Sequence, residues 1–203
     1  IWIRKVETLK EYIRKNKQKI DMLNIILFGA PGAGKGTQSK EIVKKYDLAY
    51  ISTGEILRKE MAEETELGLI AKDVINRGEL LSDELIMGII EHAIEQAGDK
   101  GVLFDGFPRT VKQAECLEEL LEHHQRHLSI VLSLEVPREE LIQRMLKRAE
   151  IEGRADDNEE VIQNRFKEYE AKTKPVADFY EKEGKLHKIE GIGAVEEVFV
   201  CLT

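Results

Sequence analysis

One stretch of the sequence decides the fold: Gly29-Ala30-Pro31-Gly32-Ala33-Gly34-Lys35-Gly36-Thr37. It directly follows the apolar run Asn24 to Phe28, which suits a buried strand, and a helical pattern begins near Lys35. Glycines let the backbone turn tightly enough for several N–H groups to point at phosphate oxygens, and the helix adds the positive end of its dipole. Lys35 can reach the β and γ phosphates of a nucleotide. A glycine-rich turn without a ligand is the alternative, but its place between strand and helix favours a phosphate-binding loop.

Four more apolar runs continue the pattern outward from this loop. They are Ala49 to Ile51, Val102 to Asp105, Ile130 to Leu134 and Leu186 to Ile189, with longer helical patterns between them. Continuous apolar strands that alternate with helices indicate a parallel sheet covered on both faces. We therefore predict an α/β fold of the phosphate-loop type, with a central five-stranded parallel sheet flanked by helices.

Residues 1 to 21 differ from the rest of the chain. Residues 1 to 20 hold seven Lys or Arg against two Glu, and Trp2, Val6, Leu9 and Ile13 recur at helical spacing. We interpret this part as a basic amphipathic extension before a domain over 22–203. It is either an upstream tail or a helix for a membrane surface or a partner. The tail is favoured because the basic residues are not confined to one face, so a protein that starts at Met22 is expected to keep its activity and melting temperature.

The composition narrows the class of protein. The chain has 203 residues, a formal net charge of −8, and 42% hydrophobic and 34% charged residues, which argues against a general nucleic-acid binder. No apolar run approaches the length of a membrane span, and no signal peptide is visible. Cys116 and Cys201 are far apart, which argues against a disulfide framework and fits a reducing compartment. We expect a cytoplasmic monomer with no nucleic-acid or membrane partner.

Three further motifs follow the phosphate loop in order. They are Ile51-Ser52-Thr53-Gly54-Glu55-Ile56-Leu57-Arg58, then Arg77-Gly78-Glu79-Leu80-Leu81-Ser82-Asp83-Glu84, then Phe104-Asp105-Gly106-Phe107-Pro108-Arg109-Thr110 with Gln113 shortly after. Together with the phosphate loop, these stretches resemble the adenylate kinase family from Met22 to the C-terminus. Gly36 stands where most phosphate loops have a Ser or Thr for Mg²⁺, and this variant is typical of nucleoside monophosphate kinases.

The resemblance implies a mobile AMP-binding segment over 52–81. Thr53 and Gln113 would contact adenine, and Arg58 and Arg109 would bind the AMP phosphate, a role that suits the planar guanidinium group. The remaining AMP-binding positions would be Glu79, Leu80, Leu81, Gly106, Phe107, Pro108, Arg154 and Arg165.

Each of these residues also has a purely structural interpretation. Thr53 could cap the helix that begins nearby, Arg58 could be a solvated surface charge, and Gln113 could be an ordinary helix-face residue. Asp105 ends a buried strand, where it could form an ion pair with Lys35 or Arg109; the resemblance implies instead that it holds water bound to Mg²⁺.

The resemblance also implies an ATP site and a lid. The ATP positions would be Gly32, Ala33, Gly34, Lys35, Gly36, Thr37, Arg144, Arg148 and Gly193, although Gly193 could equally be a turn glycine. The stretch Lys147 to Asp157 resembles the short lid of the family, a loop without cysteine that needs no zinc. Arg154 and Arg165 would close on the transferring phosphoryl group, and Asp156 and Asp157 would orient the arginines. Because like charges repel, we expect the arginines to stay apart in an empty site.

The implied function is reversible phosphoryl transfer from Mg-ATP to AMP to give two ADP. The catalytic residues would be Lys35, Arg109, Arg148, Arg154, Arg165 and Asp105, and no zinc is expected. A UMP/CMP kinase of the same family is the nearest alternative, but an Ala and an Asn tend to replace Thr53 and Gln113 there. A non-catalytic nucleotide-binding module would be expected to lose some of the arginines, and all are present.

Overall fold

A parallel five-stranded sheet forms the centre of the molecule. The computed structural model describes residues 9–16, 22–154 and 157–203. The strands are β1 (Asn24–Gly29), β2 (Ala49–Ser52), β3 (Val102–Asp105), β4 (Ile130–Glu135) and β5 (Leu186–Glu190), in the order β2-β3-β1-β4-β5. All neighbouring pairs run parallel. The predicted fold class is confirmed, and each predicted strand is present with at most one extra residue at its end.

Helices cover both faces of this sheet. Alternate residues of β1 point to opposite faces: Ile26 joins one apolar cluster, and Ile25 and Leu27 join the other. The helices are α1 (Leu9–Asn16), α2 (Lys35–Tyr46), α3 (Thr53–Ala62), α4 (Glu66–Asn76), α5 (Asp83–Ala97), α6 (Val111–His123), α7 (Arg138–Glu152), α8 (Glu159–Glu168), α9 (Lys174–Lys182) and α10 (Val195–Leu202), with a π-helical turn at Tyr169–Thr173. None of the helices in these described ranges is long and apolar enough to cross a membrane.

The strand order determines where a ligand can bind. From β1 the chain crosses to β2 on one side of the sheet and later to β4 on the other, so the order reverses at β1. Crevices beyond the carboxyl ends of parallel strands at such a switch point are the usual ligand sites of this architecture. The phosphate loop follows β1 and the Asp105 motif follows β3, so both lie at this edge of the sheet.

Helix α1 packs more closely on the domain than a detached tail would. Leu9 is fully buried in the apolar cluster on the α2 and α10 face of the sheet, and Tyr12 and Ile13 pack against that cluster. This packing disagrees with the tail interpretation, because removal of Leu9 would uncover apolar core surface. Trp2 and Val6 lie outside the described residues.

The end of α7 corrects the prediction for the lid. The segment Lys147 to Asp157 is predicted as a loop, but its first six residues are the last part of α7, which ends at Glu152. Gly153 follows in a left-handed conformation with φ of 64°, which favours glycine. Asn158 then caps α8 by accepting a hydrogen bond from the Val161 N–H at 3.0 Å. Asp156 lies outside the described residues.

Helices α3 and α4 form a tight pair, and Gly68 is the contact that permits it. A Cβ added at Gly68 would lie 2.1 Å from the carbonyl oxygen of Glu60 and 2.7 Å from the main-chain nitrogen of Met61. We therefore expect Gly68→Ala to lower the free energy of unfolding by about 3 kcal/mol, because the backbones would have to separate.

The matched control is Gly88→Ala in the interior of α5, where no atom lies within 4 Å of the added Cβ. This variant should raise the free energy of unfolding by about 0.5–1 kcal/mol through the lower chain entropy of alanine. Urea denaturation of both variants measures the difference. Equal effects at the two glycines would contradict the close approach of α3 and α4.

Candidate active site

The side chain of Lys35 makes hydrogen bonds back to the start of the phosphate loop. Lys35 donates hydrogen bonds from Nζ to the carbonyl oxygens of Gly29 at 2.8 Å and Ala30 at 3.0 Å. Gly34 takes the helix N-cap position with φ of 89°, so the first turn of α2 opens onto the loop. Gly32 has φ of 85° and lies against α7, where an added Cβ would be 2.7 Å from the carbonyl oxygen of Leu141. The loop is thus shaped by backbone positions that a larger residue could not occupy.

The environment of Lys35 changes its protonation. The pKa of Lys35 is lowered from 10.5 to about 8, and burial is the largest cause. The Asp105 carboxylate acts in the opposite direction, and the neighbouring charges of Arg109, Arg165 and Arg148 contribute to the lowering. An anionic ligand beside the ammonium group would favour the charged form again. Lys35 is therefore a cation whose charge depends on what fills the loop.

Asp105 is held by a tyrosine. The Tyr50 hydroxyl on β2 donates to Oδ2 of Asp105 at 2.8 Å, and this is the contact that the structure gives in place of the considered ion pair with Lys35 or Arg109. Burial and the Asp105 carboxylate raise the pKa of Tyr50, so its hydroxyl stays a donor. A Cβ at Gly36 would lie 3.7 Å from the same Oδ2, so the glycine leaves the space between α2 and Asp105 open.

A cleft of about 620 Å³ lies between α3, α4 and the loop after β3, and we call it the helical cleft. Ser52 accepts from the Glu55 N–H at 3.4 Å as the cap of α3, so the capping role considered for Thr53 belongs to its neighbour. Thr53 instead donates to the carbonyl oxygen of Gly106 at 3.0 Å. The residues lining the cleft include these predicted positions: Thr53, Arg58, Glu79, Leu80, Leu81, Gly106, Arg109, Gln113 and Arg165.

Arg109 and Gln113 form the far wall of the helical cleft. Arg109 donates from Nε to the carbonyl oxygen of Gly106 at 2.6 Å, and Gly106 has φ of 74° where an added Cβ would be 3.0 Å from the guanidinium group. Gln113 accepts from the Arg109 N–H at 2.7 Å. Both side chains are thus fixed by the short loop between β3 and α6, which contains the cis Phe107–Pro108 peptide.

A second, wider cleft, the phosphate-loop cleft, lies between the loop, α3 and α7. Its lining includes the predicted residues Gly32, Ala33, Gly34, Lys35, Gly36, Thr37, Arg58, Asp105, Arg109, Arg144, Arg148, Arg154 and Arg165. Gly193 is not among them; its φ of 116° is a backbone conformation that favours glycine in this turn. Gly191 reaches the site through its carbonyl oxygen, which accepts from Arg144 at 3.1 Å.

Asp157 brings two of the arginines together. Arg148 donates to both oxygens of Asp157 at 2.6 and 2.8 Å, and Arg165 donates to Oδ1 at 2.6 Å. Such charge-assisted bonds are the strong ones. The expectation that like charges keep the arginines apart is wrong for this pair, because the fully buried carboxylate offsets their repulsion. Arg154 is held separately, by Glu152 at 2.6 Å.

The two clefts meet at Arg109 and Arg165. Both residues line the helical cleft and the phosphate-loop cleft, and both also line a third, inner cleft of about 560 Å³ that includes Lys35, Phe107 and Pro108. Burial and Arg165 lower the pKa of Arg109, which shows how closely the cations are gathered. The arrangement provides two anion-binding spaces that share cations at their junction.

Three contributors were missed by reasoning from the sequence: Tyr50, Glu140 and Asp83. Glu140 accepts from Arg144 Nε at 2.8 Å, four residues away on α7, and this spacing is a readable signal for an ion pair on one helix face. Tyr50 lies within the predicted strand Ala49 to Ile51, but nothing in the sequence pairs it with Asp105. Among the described residues, no three His, Cys, Asp or Glu side chains gather into a metal-binding group.

A phosphate loop after β1 and a ring of arginines around two joined clefts define the class of protein, a phosphotransferase of the nucleoside monophosphate kinase type. The family model for adenylate kinase matches residues 27–185. The chain is 50% identical to an adenylate kinase of Parabacteroides distasonis over 179 residues, which are 88% of this chain and 94% of that protein. It is 48% identical to one of Porphyromonas gingivalis over 178 residues, 87% of this chain and 92% of the relative. The chain belongs to the adenylate kinase family, and the resemblance predicted from the motifs is confirmed.

Proposed function

We propose that the protein transfers the terminal phosphoryl group of Mg-ATP to AMP, reversibly, to give two ADP. The observation that carries the proposal is the junction of two clefts at Arg109 and Arg165. The phosphate-loop cleft would hold ATP and the helical cleft would hold AMP, so that the two polyanions meet end to end over shared cations.

The residues of this chain position the reactants and compensate charge. Phosphoryl transfer passes through a loose transition state with charge spread over the phosphate oxygens, so placement and fixed cations contribute most of the catalysis. Lys35 and Arg148 would bind the ATP phosphates, Arg58 and Arg109 the AMP phosphate, and Arg165 the group in transit. No covalent enzyme intermediate is needed.

Magnesium would enter with ATP. The Asp105 carboxylate fits a role beside the hydrated ion, because it lines the phosphate-loop cleft, is held by Tyr50 and faces the space that Gly36 leaves open. The ion supplies positive charge that neutralises the phosphates. We expect no requirement for zinc, and thermal melts with and without a zinc chelator test that expectation.

The function is tested by a coupled assay for nucleoside diphosphate formation from Mg-ATP with AMP, UMP or CMP as acceptor. Thr53 and Gln113 lie on the same cleft, and a pyrimidine would leave such buried polar groups unpaired at about 1–3 kcal/mol. We expect kcat/KM for AMP to exceed that for UMP by at least about tenfold. Equal values for AMP and UMP would place the chain with the UMP/CMP kinases, and no turnover with any acceptor would favour a binding module.

The lowered pKa of Lys35 predicts a pH dependence of ATP binding. Below pH 8 the ammonium group is charged, and from about pH 8 upward the unliganded protein loses this proton while the unfolded chain keeps it to 10.5. ATP should prefer the charged form, so its Kd should rise about tenfold between pH 7 and pH 9, and about fivefold of this rise should fall between pH 8 and pH 9. The same loss of a disfavoured charge should make the unliganded fold slightly more stable over this range.

Calorimetric titration with ATP from pH 7 to pH 9.5 measures the effect. Lys35→Arg is the matched control, because arginine stays charged and the dependence should flatten. AMP is the control ligand, since its proposed cleft is not lined by Lys35. An ATP affinity that stays constant up to pH 9.5 would contradict the role given to Lys35.

A further inference from the structure

The side-chain amide of Gln113 is held by one hydrogen-bond donor and one hydrogen-bond acceptor. The side chain is only 2% exposed and lines the helical cleft. Its Oε1 accepts from the Arg109 main-chain N–H at 2.7 Å, and its Nε2 donates to Oδ1 of Asp83 at 2.8 Å. A main-chain N–H can only donate, and a carboxylate can only accept. Both contacts therefore require the same orientation of the amide.

A fixed amide distinguishes between purines. After these two bonds, Nε2 keeps one N–H and Oε1 keeps one lone pair. A 6-aminopurine presents an amino donor at position 6 beside an acceptor at N1, which complements this pair. A 6-oxopurine presents an acceptor at position 6 beside an N1–H donor, which requires the amide to be reversed. An amide that can turn over would serve either base, whereas a fixed one serves the 6-aminopurine.

Asp83 is itself held in a position from which it can fix the orientation of the Gln113 amide. It is the first residue of α5, directly after the cap residue Ser82, and its Oδ1 also accepts from the Thr110 hydroxyl at 3.2 Å. Thr110 caps α6 by accepting from the Gln113 N–H at 3.1 Å. The carboxylate thus joins the starts of two helices and leaves little freedom to the amide between them.

We propose that Asp83 is a positioning residue that orients Gln113 to bind a 6-aminopurine nucleotide and to discriminate against the 6-oxo analogue. The inference rests on the proposed function, because it assumes that the acceptor base lies in the helical cleft. Asp83 acts through Gln113 and makes no contact with the nucleotide. If Asp83 were only an acidic residue at a helix N-terminus, its loss would affect the two purines equally.

The test compares AMP with inosine monophosphate, which differs at position 6 and at the N1 proton. Calorimetry gives Kd for each nucleotide and the coupled assay gives kcat/KM, with the wild type, Asp83→Ala and Asp83→Asn. In Asp83→Ala we expect AMP to bind about tenfold more weakly while inosine monophosphate is unchanged or improved, so the preference falls about tenfold. Asparagine keeps an oxygen that accepts from Nε2, so Asp83→Asn should keep most of the preference.

The control is Glu84→Ala, which removes the next acidic residue from the same helix turn, an exposed side chain paired with Lys112. It should leave the preference unchanged. Asp83→Ser repeats the alanine test with a residue that favours helix starts, should the alanine variant fold poorly.

Three outcomes would overturn the inference: equal losses for both nucleotides, an unchanged preference in the Ala and Ser variants, or a wild type that binds both nucleotides equally. Failure of the proposed function looks different. A wild type that prefers AMP in calorimetry but forms no diphosphate would reject the catalytic proposal and leave the orienting role of Asp83 in place.

Discussion

Lys35→Met should lower kcat with AMP and Mg-ATP by about a thousandfold while the fold is kept. The substitution removes the one side-chain cation of the phosphate loop and leaves a chain of similar length in its place. Loss of a single preorganised charge at the developing transition state has effects of this size in active sites that exclude water once the substrates are bound. Steady-state kinetics at pH 7.5, where the wild-type lysine is charged, measures the loss.

The melting temperature of Lys35→Met should not fall along with its kcat. Because burial disfavours the charged form of Lys35, the methionine variant should melt at the same temperature as the wild type or higher. Lys44→Met is the matched control: it removes an exposed lysine in the last turn of the same helix and should change kcat by no more than about twofold. Turnover within a few fold of wild type in Lys35→Met would remove the phosphate loop from the mechanism.

The second large effect is expected at Asp157. Asp157→Asn keeps the size of the side chain but removes the negative charge through which Arg148 and Arg165 are bridged. We expect kcat to fall about a hundredfold, because the charged bridge that places the two guanidinium groups together at the proposed site of transfer would be lost. The free energy of unfolding should fall by only about 1–2 kcal/mol, since the arginine side chains are 27% and 21% exposed and can regain water.

The control removes a carboxylate from the same segment, 147–157, but leaves the bridge between Arg148, Asp157 and Arg165 intact. Glu150→Gln lies on α7 as an exposed side chain, so it changes the local net charge by the same amount. It should leave kcat within about twofold of wild type. A comparable loss in both variants would mean that the overall charge of the lid, and not the bridge through Asp157, sets the rate.

The regular part of the fold is readable from the sequence because strands buried on both faces need unbroken apolar runs. The runs at Asn24 and Val102 predict β1 and β3 to within a residue. The phosphate loop is equally readable, since its glycines are required by the positive φ angles at Gly32 and Gly34. The order of the strands cannot be read from the sequence, because parallel pairing depends on contacts between segments far apart in the chain.

The site is less predictable where the position or role of one side chain depends on its contact with another residue. The resemblance implies that Asp157 orients the arginines, but the sequence does not show that it binds Arg148 and Arg165 at once, so charge repulsion gave the wrong expectation for this pair. Ser52 and Thr53 are both capping residues by type, and only the backbone angles show that Ser52 is the cap. The end of α7 was missed for a similar reason, because its helical residues before Gly153 are charged and lack an apolar pattern.

The close contact between Gly32 and α7 limits where the lid can pivot. The loop backbone lies against the Leu141 carbonyl and the side chain of Met145, so we expect the first two turns of α7 to move together with the phosphate loop. If the segment 147–157 acts as a lid, we expect its hinge to lie beyond Met145. Gly153 fits this role, because its backbone is left-handed and a Cβ added there would meet no neighbouring side chain of the described residues within 4 Å. Closure at this hinge would then move Arg154, whereas Arg144 would keep its position beside the phosphate loop.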